Sequence, residues 1–422
     1  MNAGGVIRSP IAAVVRQHAD DAAALRVVRS VLVRAPHVRL RHLARLDERI
    51  AAHLDGLAVA GTSGTAVCTA ALDSPGPGQV FAAAIRAIED RDDRSLHRLI
   101  ALSVAVLDCR RGLVSAFGWA SAATLRGLVQ SLLAAKDPEA CALGLAACRL
   151  HRVDPGSLLR RALDGDALVT QEEALRTASM IGRTDCLDGA RRALSGPQPS
   201  ATAGAVAACL LGDRGDALAH LQGLVGAGTA SEPVLCLAIL ASSHDWSRST
   251  LRKLVDAGRG GVAANRRAIR AAGWSGDVAA IPWLLAQLAD DQVSRLAAES
   301  VSLITGVDLA ALGLERKPPS LAGAGDSGGD EAAVGIADDE SLPWPDPERV
   351  NAWWRANADR MPAPVLLLGG VPGRQQCELV LRDGLQRQRL IAAVRLKLFE
   401  PEAAMFNVAA PSWRQQRLLS AP

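Results

Sequence analysis

Between about residue 135 and residue 306 one pattern recurs: a helix of small residues, a tight turn, a capping side chain and a second amphipathic helix. The turns read His151-Arg-Val-Asp154, Gly182-Arg-Thr-Asp185, Gly212-Asp-Arg-Gly-Asp216, His244-Asp-Trp-Ser247 and Gly273-Trp-Ser-Gly-Asp277. Their cap-like residues Asp154, Asp185, Asp216, Ser247 and Asp277 lie 31, 31, 31 and 30 residues apart. That period holds two helices of about 11 residues and two short turns. A single hairpin of this kind cannot bury its apolar face, so copies must stack. Gly or a short polar residue closes the first helix in the left-handed conformation. Asp or Ser then accepts the amide hydrogens that open the second. The pattern predicts an all-α chain, an α-solenoid of helical hairpins with period about 30–31.

Composition agrees. Of 422 residues 79 are Ala, aromatic residues make up 3% and Tyr is absent. Ala is the best helix former, and strand formers are too few for a sandwich or barrel. With 49% apolar residues and a net charge of +3, wholesale disorder is excluded. The positive charge is carried by 43 Arg and only 4 Lys. Arg suits bidentate recognition of carboxylates and phosphates, but a near-neutral total argues against a nucleic-acid binder. The eight cysteines form no CxxC pair and mostly sit in Ala/Leu-rich stretches, so they read as reduced core residues. Met1 to Pro10 carries no apolar run, and the longest apolar stretch, around Leu99 to Leu107, is half a membrane span. A soluble, cytoplasmic chain is the expectation.

Around the array, residues 1–60 read as a helical cap, with helices over Leu25–Arg34 and Val38–Leu54 split at Pro36. Residues 61–78, rich in Gly, Thr, Ser and Pro, read as a loop. The solenoid spans 79–314, less regularly upstream, where Ala82 to Val106 forms an early hairpin. Residues 315–342 carry seven acids against Arg316 and Lys317 and no apolar periodicity, so they read as a flexible linker. The region 343–422 resumes helical patterning, with helices at about 346–359, 373–383, 386–398 and 410–419, and Pro347 placed where a first turn tolerates it.

The stretch Ala271-Ala-Gly-Trp-Ser-Gly-Asp277-Val-Ala-Ala-Ile-Pro282-Trp-Leu-Leu-Ala-Gln-Leu288 resembles HEAT-like repeats of the short kind also found in phycobilisome lyases. Two further segments, Leu46-Asp47-Glu48-Arg49 through His53-Leu54-Asp55-Gly56 to Gly61, and Gly384-Leu385-Gln386-Arg387-Gln388-Arg389-Leu390 with Ala410-Pro411-Ser412-Trp413-Arg414-Gln415-Gln416, extend the likeness. With the repeats between them, the chain is similar over essentially its full length to a proteobacterial HEAT-repeat family. Genes of that family often accompany type VI secretion components. The resemblance implies an accessory role in such a cluster and carries no catalytic residues.

The residues themselves point away from catalysis. No Gly-x-Ser-x-Gly elbow is present. Gly369-Gly-Val-Pro-Gly373 lacks the Lys of a phosphate loop and reads as a turn. Asp47 and His53 are six residues apart and do not share one helix face well; Glu48 and Asp55, seven apart, do, but the group lacks the i, i+3 or i+4 spacing of helical metal ligands. No catalytic residue, cofactor or metal is expected.

A ladder is more informative. Six residues beyond each cap stand Arg160, Arg191, Gln222, Lys253 and Trp283, and Arg161 and Arg192 follow the first two. Equal register in stacked repeats sets such side chains in a row about 10 Å apart per layer. The bland reading is a solvated helix face. The functional one is a concave groove for an acidic partner helix or tail, with the chain's own linker 315–342 as one occupant. Trp119, Trp246 and Trp274, all in turns, either close those turns over the core or form an aromatic contact patch. The favoured reading is a non-enzymatic protein-binding scaffold or adaptor. The alternatives are a nucleic-acid-binding repeat protein of the helical DNA-glycosylase kind, for which Gln222 interrupts the basic groove, and a tetrapyrrole lyase-like enzyme.

Overall fold

A computed structural model describes residues 10–319 and 339–420. Among these residues the chain is all helical, with 22 α-helices, a few 3-10 turns and no strand beyond four isolated bridges. It is an α-solenoid of helical hairpins. No helix among the described residues is long and apolar enough to cross a membrane.

The chain forms two compact units. The first comprises helix α1 (Ala12–Leu32), the segment Leu40–Ile181 and the chain from Ala409. After α2 (Leu40–Val59) and α3 (Thr62–Ala70) come the hairpins α4 (Pro77–Glu89) with α5 (Asp93–Ala105), α6 (Leu107–Trp119) with α7 (Leu128–Ala134), and α8 (Pro138–His151) with α9 (Ser157–Leu163). Helix α10 (Leu168–Ile181) follows. The first helices of these hairpins begin at 77, 107, 138 and 168, so the 30-residue period holds upstream as well, where the turn chemistry is degraded. The core of this unit is built from Ile50, Phe81, Ile85, Leu113, Phe117 and Leu143.

The second unit comprises Ala35–Arg39 and Gly182–Val408. It holds α11 (Leu187–Leu194), the hairpins α12 (Ser200–Leu210) with α13 (Asp216–Gly226) and α14 (Glu232–Ala241) with α15 (His244–Gly258), and α16 (Val262–Ser275) with the short α17 (Ile281–Ala286). Helices α18 (Ser294–Thr305), α19 (Pro347–Asn357), α20 (Arg374–Asp383) and α21 (Gln386–Phe399) complete it. The last helix, α22 (Ser412–Leu419), belongs to the first unit. Ala147, Ala178, Ala208 and Ala272, which recur just ahead of the turns, are all fully buried, as close approach of neighbouring helices requires.

The turn chemistry holds in part. Arg152, Gly182, Gly212 and Gly276 take positive φ at four of the five turns. Asp277 caps the next turn by accepting the Ala279 amide, and Asp154 accepts the Gly156 amide ahead of α9. Two expected caps are displaced. Asp213, not Asp216, accepts the amide of Gly215, and Ser243, not Ser247, caps α15 by accepting from the Trp246 amide. In both turns an oxygen-bearing side chain lies three or four positions nearer the preceding helix and shortens the connection. Ser247, now inside α15, is buried and donates to the Ile239 carbonyl.

One element departs from the sequence reading. Residues 62–70, expected as loop, are helix α3, followed by a 3-10 turn over Ala71–Asp73. Cys68 is buried there, and a side chain at Gly64 would meet the Leu57 carbonyl at 2.2 Å, so packing against the array overrides the weak helix propensity of Thr and Gly. Most of the linker expected over 315–342 lies outside the described residues. At its two ends, Arg316 N–H donates to the Trp344 carbonyl and Asp339 pairs with Arg266 at 2.6 Å.

Candidate partner-binding surface

The second helix of each hairpin buries one stripe and leaves the other to solvent. In the first unit α9 buries Leu159, Ala162 and Leu163, which turns Arg160 and Arg161 outward. In the second unit α11 buries only Ala190, with Arg191 and Arg192 exposed, and α15 buries Thr250 and Leu251, with Arg252 and Lys253 exposed. Trp283 on α17 is half-buried beside the buried Ile281, Leu284 and Leu285.

The rungs differ in what they do. Arg191 donates to Asp213 at 2.7 Å and stands 3.6 Å from Asp188, so its charge is already met within the chain. Burial acts to raise the Asp213 carboxyl, but hydrogen bonds from Arg191 and from the Gly215 and Ala217 amides hold it below the usual carboxylate range. Gln222 is half-buried and donates to the Ser242 hydroxyl at 2.9 Å, which makes it a tie between α13 and the end of α14. Along α13 a side chain at Gly223 or Gly226 would meet nothing within 4 Å, so this layer is open and flat. Arg160 and Arg161 stand on the first unit; Arg191, Arg192, Gln222, Lys253 and Trp283 stand on the second.

The three turn tryptophans are divided between the two units. Trp119 is half-buried in an edge-to-face series in the first unit, with Phe81 at 5.8 Å and Trp413 at 4.7 Å, and the Arg29 guanidinium lies 5.9 Å from its ring centre. Trp246 and Trp274 are half-buried in the second unit, and the Trp274 carbonyl accepts from Arg395 at 3.0 Å.

Sequence reasoning missed the polar fastenings beneath these surfaces. Asp47 is fully buried and accepts from Arg29 Nε at 2.5 Å, from Arg29 Nη2 at 3.2 Å and from the Ser412 amide at 2.7 Å. Arg29 also donates to the Ala409 and Ala410 carbonyls, both at 2.9 Å. Asp47 therefore anchors α22 within the first unit. In the second unit Arg389, fully buried, donates to the Leu381 carbonyl at 2.7 Å and to Gln386 Oε1, and Gln386 in turn donates to the Val408 carbonyl. Burial pushes the Arg389 guanidinium down to about 10. These are the motif residues on which the family resemblance rests, and here they hold helix ends together.

Adjacent layers are also tied by ion pairs: Arg149–Glu173 at 2.8 Å and Arg110–Glu139 in the first unit, Arg248–Asp277 at 2.8 Å and Arg270–Glu232 in the second. None of the eight cysteines is in a disulfide, and six are buried. Burial pushes the Cys68, Cys148, Cys209 and Cys377 thiols up to about 11 and Cys236 to about 12, so they persist as inert thiols at neutral pH. Comparison with known proteins gives no match to a family model, to a curated protein or to a solved structure.

Proposed function

We propose that this chain is a non-enzymatic protein-binding scaffold whose second-helix faces receive acidic segments of a partner. The observation that supports the reading is the disposition of cations. Arg161 on one unit, and Arg252 and Lys253 on the other, project from exposed helix faces. Repeat arrays present extended surfaces of this sort, and Arg is the residue suited to carboxylate recognition. The family resemblance adds the context of an accessory protein in a type VI secretion cluster.

Arg191 is a poor site for a test because its reversal would break the Asp213 turn. Arg161→Glu on the first unit and Arg252→Glu with Lys253→Glu on the second leave the fastenings untouched. Affinity purification from the native host with mass spectrometry identifies the partner. The expected outcome is a loss of capture of at least about tenfold in the reversed variants with an unchanged helical circular-dichroism spectrum, and a capture that weakens with salt. Capture equal to wild type in both variants refutes the reading.

A further inference from the structure

The segment around Asp47 contains one residue that the fastening of α22 does not use. His53 stands on α2, and across from it α1 presents His18 and, one helical turn on, Asp21. His18 Nδ1 lies 3.1 Å from His53 Nδ1, with the rings edge to face at a centroid separation of 5.3 Å. Asp21 Oδ2 lies 3.8 Å from the same His53 nitrogen. The opposite edge of the His18 ring rests on Gly56: a Cβ there would meet Cδ2 and Nε2 at 2.7 Å. A glycine in the interior of a helix is unfavourable, and at this position it makes the room that lets His18 turn its Nδ1 toward His53.

Two imidazole nitrogens that bind one tetrahedral ion at roughly 2.0–2.1 Å are about 3.3 Å apart. The His18–His53 pair already has nearly that separation. Among the described residues no three ligating side chains yet converge on one point. Asp21 supplies the third by an approach of about half an ångström toward the ion, and its side chain, 42% exposed, has the room to turn. We propose that His18, His53 and Asp21 form a binding site for a divalent ion of the zinc class, with water completing the coordination. Two nitrogens and one carboxylate select zinc over magnesium or calcium, which take all-oxygen sets. The ion takes the place of the hydrogen shared between the two Nδ1 atoms, and the ring that carried it turns to its Nε2–H tautomer. The site does not depend on the scaffold reading.

The test uses the full chain stripped of metal by a chelator and dialysed against zinc alone or magnesium alone. One zinc per chain and no magnesium are expected. His18→Ala and His53→Ala are expected to weaken zinc binding at least about tenfold, and Asp21→Asn less. His97→Ala, an exposed histidine bonded to its own helix, is expected to leave binding unchanged. Absence of zinc uptake, or uptake that survives both histidine substitutions, overturns the proposal. Should those variants fail to fold, zinc-edge X-ray absorption on the wild-type chain decides. Two imidazole nitrogens with oxygen are expected, and a sulfur shell or an all-oxygen shell overturns it.

Discussion

Removing the Asp47 carboxylate is the most direct perturbation of the way α22 is fastened within the first unit. Asp47 is the sole carboxylate bonded to the Arg29 side chain and to the Ser412 amide among the contacts described, and it is completely buried. Breaking a buried ion pair by deleting one partner costs about 3–5 kcal/mol, because the remaining charge stays desolvated. Arg29 retains the Ala409 and Ala410 carbonyls, which places Asp47→Ala at the low end, about 3 kcal/mol, with about 1 kcal/mol more for the orphaned Ser412 amide. Asp47→Asn keeps an acceptor for that amide and is expected to cost about 2 kcal/mol. Ser412 is the first residue of α22, a position that tolerates proline, so Ser412→Pro removes the N–H that donates to Asp47 together with the serine hydroxyl. Urea unfolding of the four members of the Asp47→Ala/Ser412→Pro cycle is expected to give a coupling of about 1–2 kcal/mol. Hydrogen exchange is expected to accelerate across α22 in each variant. A coupling near zero, or single losses under about 0.5 kcal/mol with α22 still protected, would refute the fastening.

Gly276 takes φ +72°, and a Cβ there would stand 2.3 Å from the Leu366 carbonyl, so Gly276→Ala is expected to lower stability by about 2–4 kcal/mol. Gly223→Ala, in open space within α13, is expected to raise it by about 0.5–1 kcal/mol, and thermal melts of the pair check the contrast. Lys397 is buried and donates to the Pro401 and Ala403 carbonyls, and burial lowers its ammonium to about 8 from 10.5. The unfolded chain then binds more protons than the folded one between pH 8 and 10.5, so this residue's contribution rises with pH across that window, by up to about 3 kcal/mol. Lys397→Met is expected to flatten that slope in urea titrations run from pH 7.5 to 10, and an unchanged slope would contradict the assignment.

The helices and their period were legible because hairpin stacking imposes local rules: small residues ahead of a turn, a left-handed residue at the turn, an oxygen-bearing cap after it. Arg152, Gly276 and Asp277 follow those rules directly. Where two candidates competed, spacing alone chose wrongly. Asp216 keeps the 31-residue interval, yet Asp213 does the bonding. Helix α3 was invisible for a different reason, since Cys68 and Gly64 gain their helical state from neighbours that the local sequence does not reveal. The ladder positions were read from register, and register does not report partners. Gln222 meets Ser242 and Arg191 meets Asp213 through residues 20 and 22 positions away.

The arginine excess takes on a structural meaning from these contacts. Arg395 donates to the Trp274 and Ser275 carbonyls, the last two of α16. Arg414 joins the Gly118 and Leu150 carbonyls at the ends of α6 and α8, and Arg389 meets the Leu381 carbonyl near the end of α20. Every helix leaves its final carbonyls without intrahelical donors, and the partial negative charge there favours a cation. An array of short helices multiplies such ends and buries them between layers. A lysine offers one ammonium point, whereas a guanidinium presents donors in a planar fork and can serve two carbonyls from two helices at once. Burial lowers the pKa of Arg389 and Arg414, which means that the chain carries part of their desolvation in order to close those ends. A helical repeat with hairpins this short needs such residues in proportion to its helix count, apart from any that a partner would require.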